Sequence, residues 1–319
     1  MKKWMASLFA LALLVAGLPA GAQALQGGPL KIVVPYPPGG SSDRAARLLS
    51  ERLSTEIGAP VIVENRPGAG GRLAAQQVRN EGASNTLLLA NPAIMVVAPM
   101  VFGNVGYDPI KDYLPVSQVT NYEFAVAVGT AVPVREFNHL LAWMRANPEK
   151  SSIGVPATGS LPHFFALMLG EKTGVDAQVV GYKGSAPLAT DLIGGHVPLA
   201  VDTLDSLEPQ HAGGRLRMLA VSGERRSPGA PDVPTFREIG IDLVATGWNT
   251  LFAPAAMPAD KIGLLSEAVA RAMSDQSVRA RFAAAKMEPV SANAARTGAA
   301  LAAYRAQWAP VVQRSGYRQ

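Results

Sequence analysis

The chain has 319 residues, 48% hydrophobic and 17% charged, with a formal net charge of +5 and no cysteine. That length accommodates two domains of ordinary size, and the composition is far from the disordered regime. Without cysteine there are no disulfides, thiolate nucleophiles or cysteine metal sites, and no dense basic run suggests a nucleic-acid partner.

The chain opens with MKKWMASLFALALLVAGLPAGAQA, which combines Lys2 and Lys3, an apolar stretch from Leu8 to Val15, and the small-residue triplet Ala22-Gln23-Ala24. This pattern predicts a cleavable signal peptide over residues 1–24, leaving Leu25 first. The apolar stretch is short of the roughly 18 residues that span a bilayer. Removing Lys2 and Lys3 leaves 27 bases against 24 acids, a net +3 suited to anionic small molecules. With no cysteine to carry a lipid, the exported chain is expected to be unanchored in an extracytoplasmic space.

Beyond the leader, apolar β-rich runs alternate with segments of helical period, which predicts βα units around parallel sheets covered on both faces. KIVVPY (31–36) is the first strand. A helix follows over Asp43 to Ile57, with Ala46, Leu49, Leu53 and Ile57 as its apolar stripe and Ser41, Ser42 or Asp43 as N-cap. PVIVEN (60–65), a short helix over Arg72 to Arg79, and NTLLLAN (85–91) come next. After a loop-rich passage at 106–115, EFAVAVG (123–129) reads as a strand leaving the first sheet for a second. A helix over Phe137 to Ala146, SIGVPA (152–157), a helix over Leu161 to Glu171, AQVVGY (177–182), a helix over Ala186 to Ile193, VPLAVD (197–202) and LRMLAVSG (216–223) continue the alternation. GWNTLFAPAAMP (247–258) is the return path, and helices over Ala259–Met273, Ser277–Met287 and Ala294–Gln313 pack back on the first sheet.

Ligands of open parallel sheets sit beyond the carboxyl ends of the strands, where helix N-termini offer free amides and a partial positive charge. Three loops fit that location. In Pro37-Pro38-Gly39-Gly40-Ser41-Ser42-Asp43 the prolines stiffen the strand exit and the glycines bare the amides; the bland alternative is a capped turn with Asp43 as N-cap. In Asn65-Arg66-Pro67-Gly68-Ala69-Gly70-Gly71 the glycines resemble a dinucleotide fingerprint, but Leu73 stands where its third glycine belongs. Arg66 either pairs with a ligand carboxylate or ties its own loop to backbone carbonyls. Thr158-Gly159-Ser160 offers amides and two hydroxyls, with His163 one turn on as either a packed residue or a ligand group.

Support for catalysis is thin. There is no G-x-S-x-G elbow and no G-x-x-x-x-G-K-[ST] loop, and His139, His163, His196 and His211 lack metal-ligand spacing. Ser160 with His163 has no visible orienting acid. The reading is a non-enzyme with no metal and no cofactor.

Together these motifs resemble the substrate-binding receptors of tripartite tricarboxylate transporters, the Bug-type periplasmic receptors. The resemblance covers nearly all of the chain after the leader, and rests on KIVVPYPPGGSSD, PVIVENRPGAGG, GYDPIKDYLPVS, ATGSLPH, YKGSAPLATDLIGGHVPLAVDTL, LRMLAVSGERR, PDVPTFREIG and LFAPAAMP in that order. It implies a two-lobed α/β fold of the type II periplasmic binding class, each lobe a mainly parallel sheet flanked by helices, with two crossing strands as hinge. Lobe 1 is then residues 25–123 plus 248–319, and lobe 2 residues 124–247. The implied ligand is a small organic carboxylate held by Pro37, Pro38, Gly39, Gly40, Ser41 and Ser42 from one lobe and by Thr158, Gly159 and Ser160 from the other. Tyr182, Lys183, Gly184 and Asp202 line or support the cleft, with a structural role open for Asp202. The implied partners are the membrane permease subunits of such a transporter, served by a periplasmic monomer. One departure touches the pocket edge: Ala83-Ser84-Asn85 replaces the usual Asp-Gly-Tyr turn, and ANPAI (90–94) follows, so Asn91 and Ile94 become candidates for selecting ligand size or polarity. A receptor feeding a sensor, or a hydrolase of small esters, remains as an alternative reading.

Overall fold

The computed structural model describes residues 25–176 and 178–314. The expected signal peptide lies outside the described residues. Strand β1 (Leu30–Val34) feeds helix α1 (Ser41–Ile57), and β2 (Val61–Asn65) feeds α2 (Arg72–Glu81) through a 3-10 turn at Ala69–Gly71. After β3 (Thr86–Ala90), a π-type turn over Ala93–Val97 runs into the short helix α3 (Ala98–Val101). The long strand β4 (Tyr113–Gly129) leads to α4 (Phe137–Ala146), β5 (Ile153–Val155), α5 (Leu161–Thr173), β6 (Val179–Gly181) and α6 (Ser185–Gly194). Strand β7 (Leu199–Thr203) turns directly into α7 (Leu204–Ala212), followed by β8 (Leu216–Val221). Strand β9 (Thr246–Pro254) returns the chain to α8 (Ala259–Ser274), α9 (Gln276–Ala284), β10 (Glu288–Ala292) and α10 (Ala294–Arg314).

The strands follow one path, β2-β1-β3-β9-β4-β7-β5-β6, and β8 and β10 also pair with β4. The outer triplets, β2-β1-β3 and β6-β5-β7, are parallel, as βα units require. Between them β4 is the joint. From Tyr113 to Glu123 it pairs antiparallel with β9, and from Phe124 to Gly129 with β7 and β8. The result is a two-lobed α/β fold whose halves are joined by the neighbouring strands β4 and β9.

The stripe Ala46, Leu49, Leu53 and Ile57 of α1 is buried, as its spacing predicts, and shares a core with Leu30 and Ile32 of β1 and Leu265 and Val269 of α8. Each buried leucine or isoleucine there contributes about 2 kcal/mol. Several elements differ from the sequence reading, which placed no helix where the π-type turn and α3 lie. Strand β4 begins at Tyr113 inside the passage read as loop-rich; Pro115, which lacks a ladder donor, sits beside a register shift between Pro115 and Ser117 that absorbs it. Helix α7 and strand β10 were not anticipated, because Pro209 lies inside the first and Pro289 inside the second.

Candidate functional site

The carboxyl ends of the parallel strands in both halves surround a cavity of about 520 Å³, within the range of small-molecule sites. One wall holds Tyr36, Pro37, Pro38, Gly40, Ser41 and Ser42 between β1 and α1, the loop Pro67 to Gly71, and Asn91 after β3. The other holds Pro156, Ala157, Ser160 and Leu161 around the start of α5, Tyr182 to Pro187 at the start of α6, and Asp202 and Thr203 ending β7. Tyr122 of β4 completes the lining. The walls approach closely: a β-carbon added to Gly184 would lie 3.6 Å from Pro37 Cγ, and one added to Gly70 would lie 3.6 Å from the Thr158 carbonyl oxygen.

Helix α1 is built to present its first amides. The N-cap is Gly40, with no side-chain capping bond, so the expectation of a Ser41, Ser42 or Asp43 cap is corrected: the helix begins at Ser41. Asp43 instead braces the loop, accepting from the Gly39 amide at 2.9 Å, Asn65 Nδ2 at 2.9 Å and Arg47 Nε at 3.0 Å. Burial alone would push this carboxyl up, but those bonds outweigh it and hold the pKa below the usual value. The Ser42 hydroxyl donates to Asn249 Oδ1 at 2.7 Å, which fixes the helix start to β9. Helix α6 also begins without a side-chain cap, behind Gly184 at φ 113. Each such helix start favours a nearby anion by about 0.3–1 kcal/mol.

Helix α5 is different. Ser160 Oγ accepts from the His163 amide at 3.4 Å, and His163 Nδ1 accepts from the Gly159 amide at 2.9 Å. Burial lowers the His163 pKa, which keeps the ring neutral and able to accept. Of the residues expected in the site, Gly39, Thr158, Gly159 and His163 do not line the cavity. Gly39 and Gly159 instead supply left-handed turns, and Thr158 packs over Gly181, where no β-carbon fits. Arg66 does not line it either. It is held by Glu64 at 2.9 Å and by Glu81, and so braces the β2 exit.

The polar groups that do reach the cavity are few. Asn91 Nδ2 donates to the Tyr36 hydroxyl at 2.9 Å, while Asn91 Oδ1 accepts from the Ala93 amide at 3.1 Å. Burial pushes the Tyr36 phenol up to about 12, so it stays a neutral donor. Lys183 is exposed at the wall. Asp202 Oδ1 accepts from the Thr203 amide at 2.7 Å, whereas Oδ2 has no hydrogen-bond partner among the described residues. Burial pushes its carboxyl up to about 7, against the pull of Ser185 and the Thr203 amide. Beside it, Arg44 of α1 donates to the Gly39 and Asp205 carbonyls, each at 2.9 Å, and pairs with the Asp205 carboxylate on α7. The sequence reading missed Tyr36, Tyr122, Ser185 and the Arg44–Asp205 bridge. Tyr36 adjoins a flagged loop, but Tyr122 and the bridge depend on long-range pairing that no local pattern carries.

Among the described residues no cluster of three or more His, Cys, Asp or Glu side chains is placed to hold a metal, and no helix is long and apolar enough to cross a membrane. The family model of the tripartite tricarboxylate transporter family receptor matches residues 45–317. A UPF0065 protein of Bordetella bronchiseptica is 35% identical over 308 residues, covering 96% of this chain and 91% of that one. The structure of Rpa4515 of R. palustris with adipate superposes with a TM-score of 0.88 at 30% identity, over 92% of this chain and 99% of that one. MatC from Rhodopseudomonas palustris with bound malate gives 0.85 at 26%, over 90% and 100%. The chain belongs to the receptor family of tripartite tricarboxylate transporters, a family of periplasmic solute-binding proteins.

Proposed function

We propose that this chain binds a small organic carboxylate in the cavity between its lobes and delivers it to the permease subunits of a tripartite tricarboxylate transporter. The observation that carries this reading is the pair of helix starts, α1 and α6, that reach one cavity from opposite walls without side-chain caps. An anion there completes the amides of both lobes at once, so the ligand favours the shut arrangement through contacts made only in it. The adipate and malate of the two superposed structures support the ligand class. We assign lobe 1 to residues 25–123 plus 248–319 and lobe 2 to 124–247, and read the chain as an exported periplasmic monomer without lipid anchor. The role is binding without turnover.

Native mass spectrometry of the purified protein, then thermal-shift screening against mono- and dicarboxylates including adipate and malate, tests this. A recoverable carboxylate and a concentration-dependent rise in Tm are expected. Hydrolysis of small esters without a recoverable ligand would point to an enzyme, and binding that is coupled to a sensor partner in place of a permease would point to signalling.

A further inference from the structure

Asp202 differs from every other group on the cavity wall. It is 1% exposed, and its Oδ2 atom has no hydrogen-bond partner among the described residues. A bare ionised oxygen in such a place is costly, so beyond the pull of the Ser185 hydroxyl on this carboxyl Oδ2 calls for a hydrogen, from the ligand or by its own protonation. The surrounding charges decide between these. Helix α7 contributes Asp205, a second acid. Helix α1 contributes Arg44, whose guanidinium is already engaged with Asp205 and the Gly39 carbonyl. Tyr122 of β4 is held neutral, since burial raises its phenol well above the usual value. The start of α6 contributes the Ser185 hydroxyl, with the exposed Lys183 before it, and the neighbouring β5 has no titratable side chain. Two acids thus share one cation, and an incoming carboxylate adds a further negative charge in a poorly screened space. Like charges so placed force one acid to keep its proton.

We propose that Asp202 binds the ligand as the neutral acid, donating from Oδ2 to a carboxylate oxygen, so that anion and proton enter the cavity together. This rests on the carboxylate reading given above. The proton comes from solvent and returns to it on release; no bond to carbon forms or breaks. Burial already brings the Asp202 carboxyl to about 7 before any ligand arrives, so the linkage falls in an accessible window.

Isothermal titration with adipate and malate between about pH 6.5 and 9, in two buffers of different ionisation enthalpy, reads the proton directly. Affinity should be flat below about pH 7 and fall by up to about tenfold per pH unit above it, with close to one proton taken up per ligand. Asp202→Asn keeps the shape and offers an amide donor, so it should bind with a flat profile and no proton uptake. A flat wild-type profile without proton uptake overturns the proposal while leaving carboxylate binding intact. So does wild-type binding of malate but not adipate that Asp202→Asn abolishes, because Oδ2 would then be accepting the malate hydroxyl. Failure of every carboxylate to bind wild-type protein overturns the receptor reading and this proposal together.

Discussion

At Gly71 the wall of the cavity leaves no room for a side chain. The residue holds φ 94, and an added β-carbon would lie 2.5 Å from Ile94 Cδ1 and 3.1 Å from Pro35 Cβ. Gly71→Ala should therefore cost about 2 kcal/mol, combining left-handed strain with overpacking, as read by urea unfolding. Adding Ile94→Val removes the Cδ1 atom and should recover part of that loss; no recovery would mean that the Cδ1 contact is not its source. Ser160→Ala loses the cap of α5 and should cost about 1 kcal/mol, yet keep carboxylate affinity within a few fold because backbone amides carry the grip. Loss of all binding would instead assign the ligand to its hydroxyl. Much of this was legible in the sequence. Proline and glycine in 37–42 marked a loop that, Gly39 apart, does line the cavity, since proline fixes the backbone and glycine permits the turns that other residues resist. Thr158 and His163 were harder to place, because a hydroxyl or imidazole can serve the backbone or a ligand, and only the hydrogen-bond partner shows which.

Among the elements, α7 has the greatest consequence. It receives Arg44 of α1 on Asp205, and Lys286, just beyond α9, on Glu208 at 3.5 Å, so both ion pairs tie the half that carries α1 and α9 to one helix of the other half. The Asp205 side chain is 2% exposed, so Arg44→Met leaves a buried carboxylate without its cation; with Arg44 itself a third exposed, the cost to the contact between the halves is about 3 kcal/mol, the low end for a broken buried pair. Small-angle scattering of the unliganded variant should show a larger radius of gyration, and adipate affinity should drop. An unchanged radius and affinity would show that the pair does not hold the lobes. The parallel strands and α1 were readable because their apolar period is local. The first part of β4, α7 and β10 were not, because a proline interrupts each and tertiary pairing overrides it.

For the molecule as a whole, buried acids set the pH response. Asp202 and Glu123 are both pushed up to about 7, chiefly by burial and for Glu123 also by Glu288. The unfolded chain releases those protons near pH 4, so between about 4 and 7 the native state binds more protons and gains stability as pH falls. Asp43 and Glu81 are held below their usual values despite burial, by hydrogen bonds from Arg47 and Thr86 among others, and their contribution disappears as pH falls below about 4. Unfolding free energy should peak on the acidic side of neutrality, on the order of 2 kcal/mol above its value at pH 7.5. The Asp202→Asn, Glu123→Gln double variant should flatten that slope. Stability of the wild type rising from pH 5 to 7 would contradict the assignment.

Glu123 of β4 and Thr246 of β9 are register partners. Everything between them is thus spliced into the molecule at a single rung of one ladder. Recombination at that rung between two relatives would exchange an entire half without any new linker, since the cut ends already sit side by side. Ligand preference in such proteins can then change by trading halves as well as by altering single residues, and chimeras built at 123 and 246 would report which half carries it.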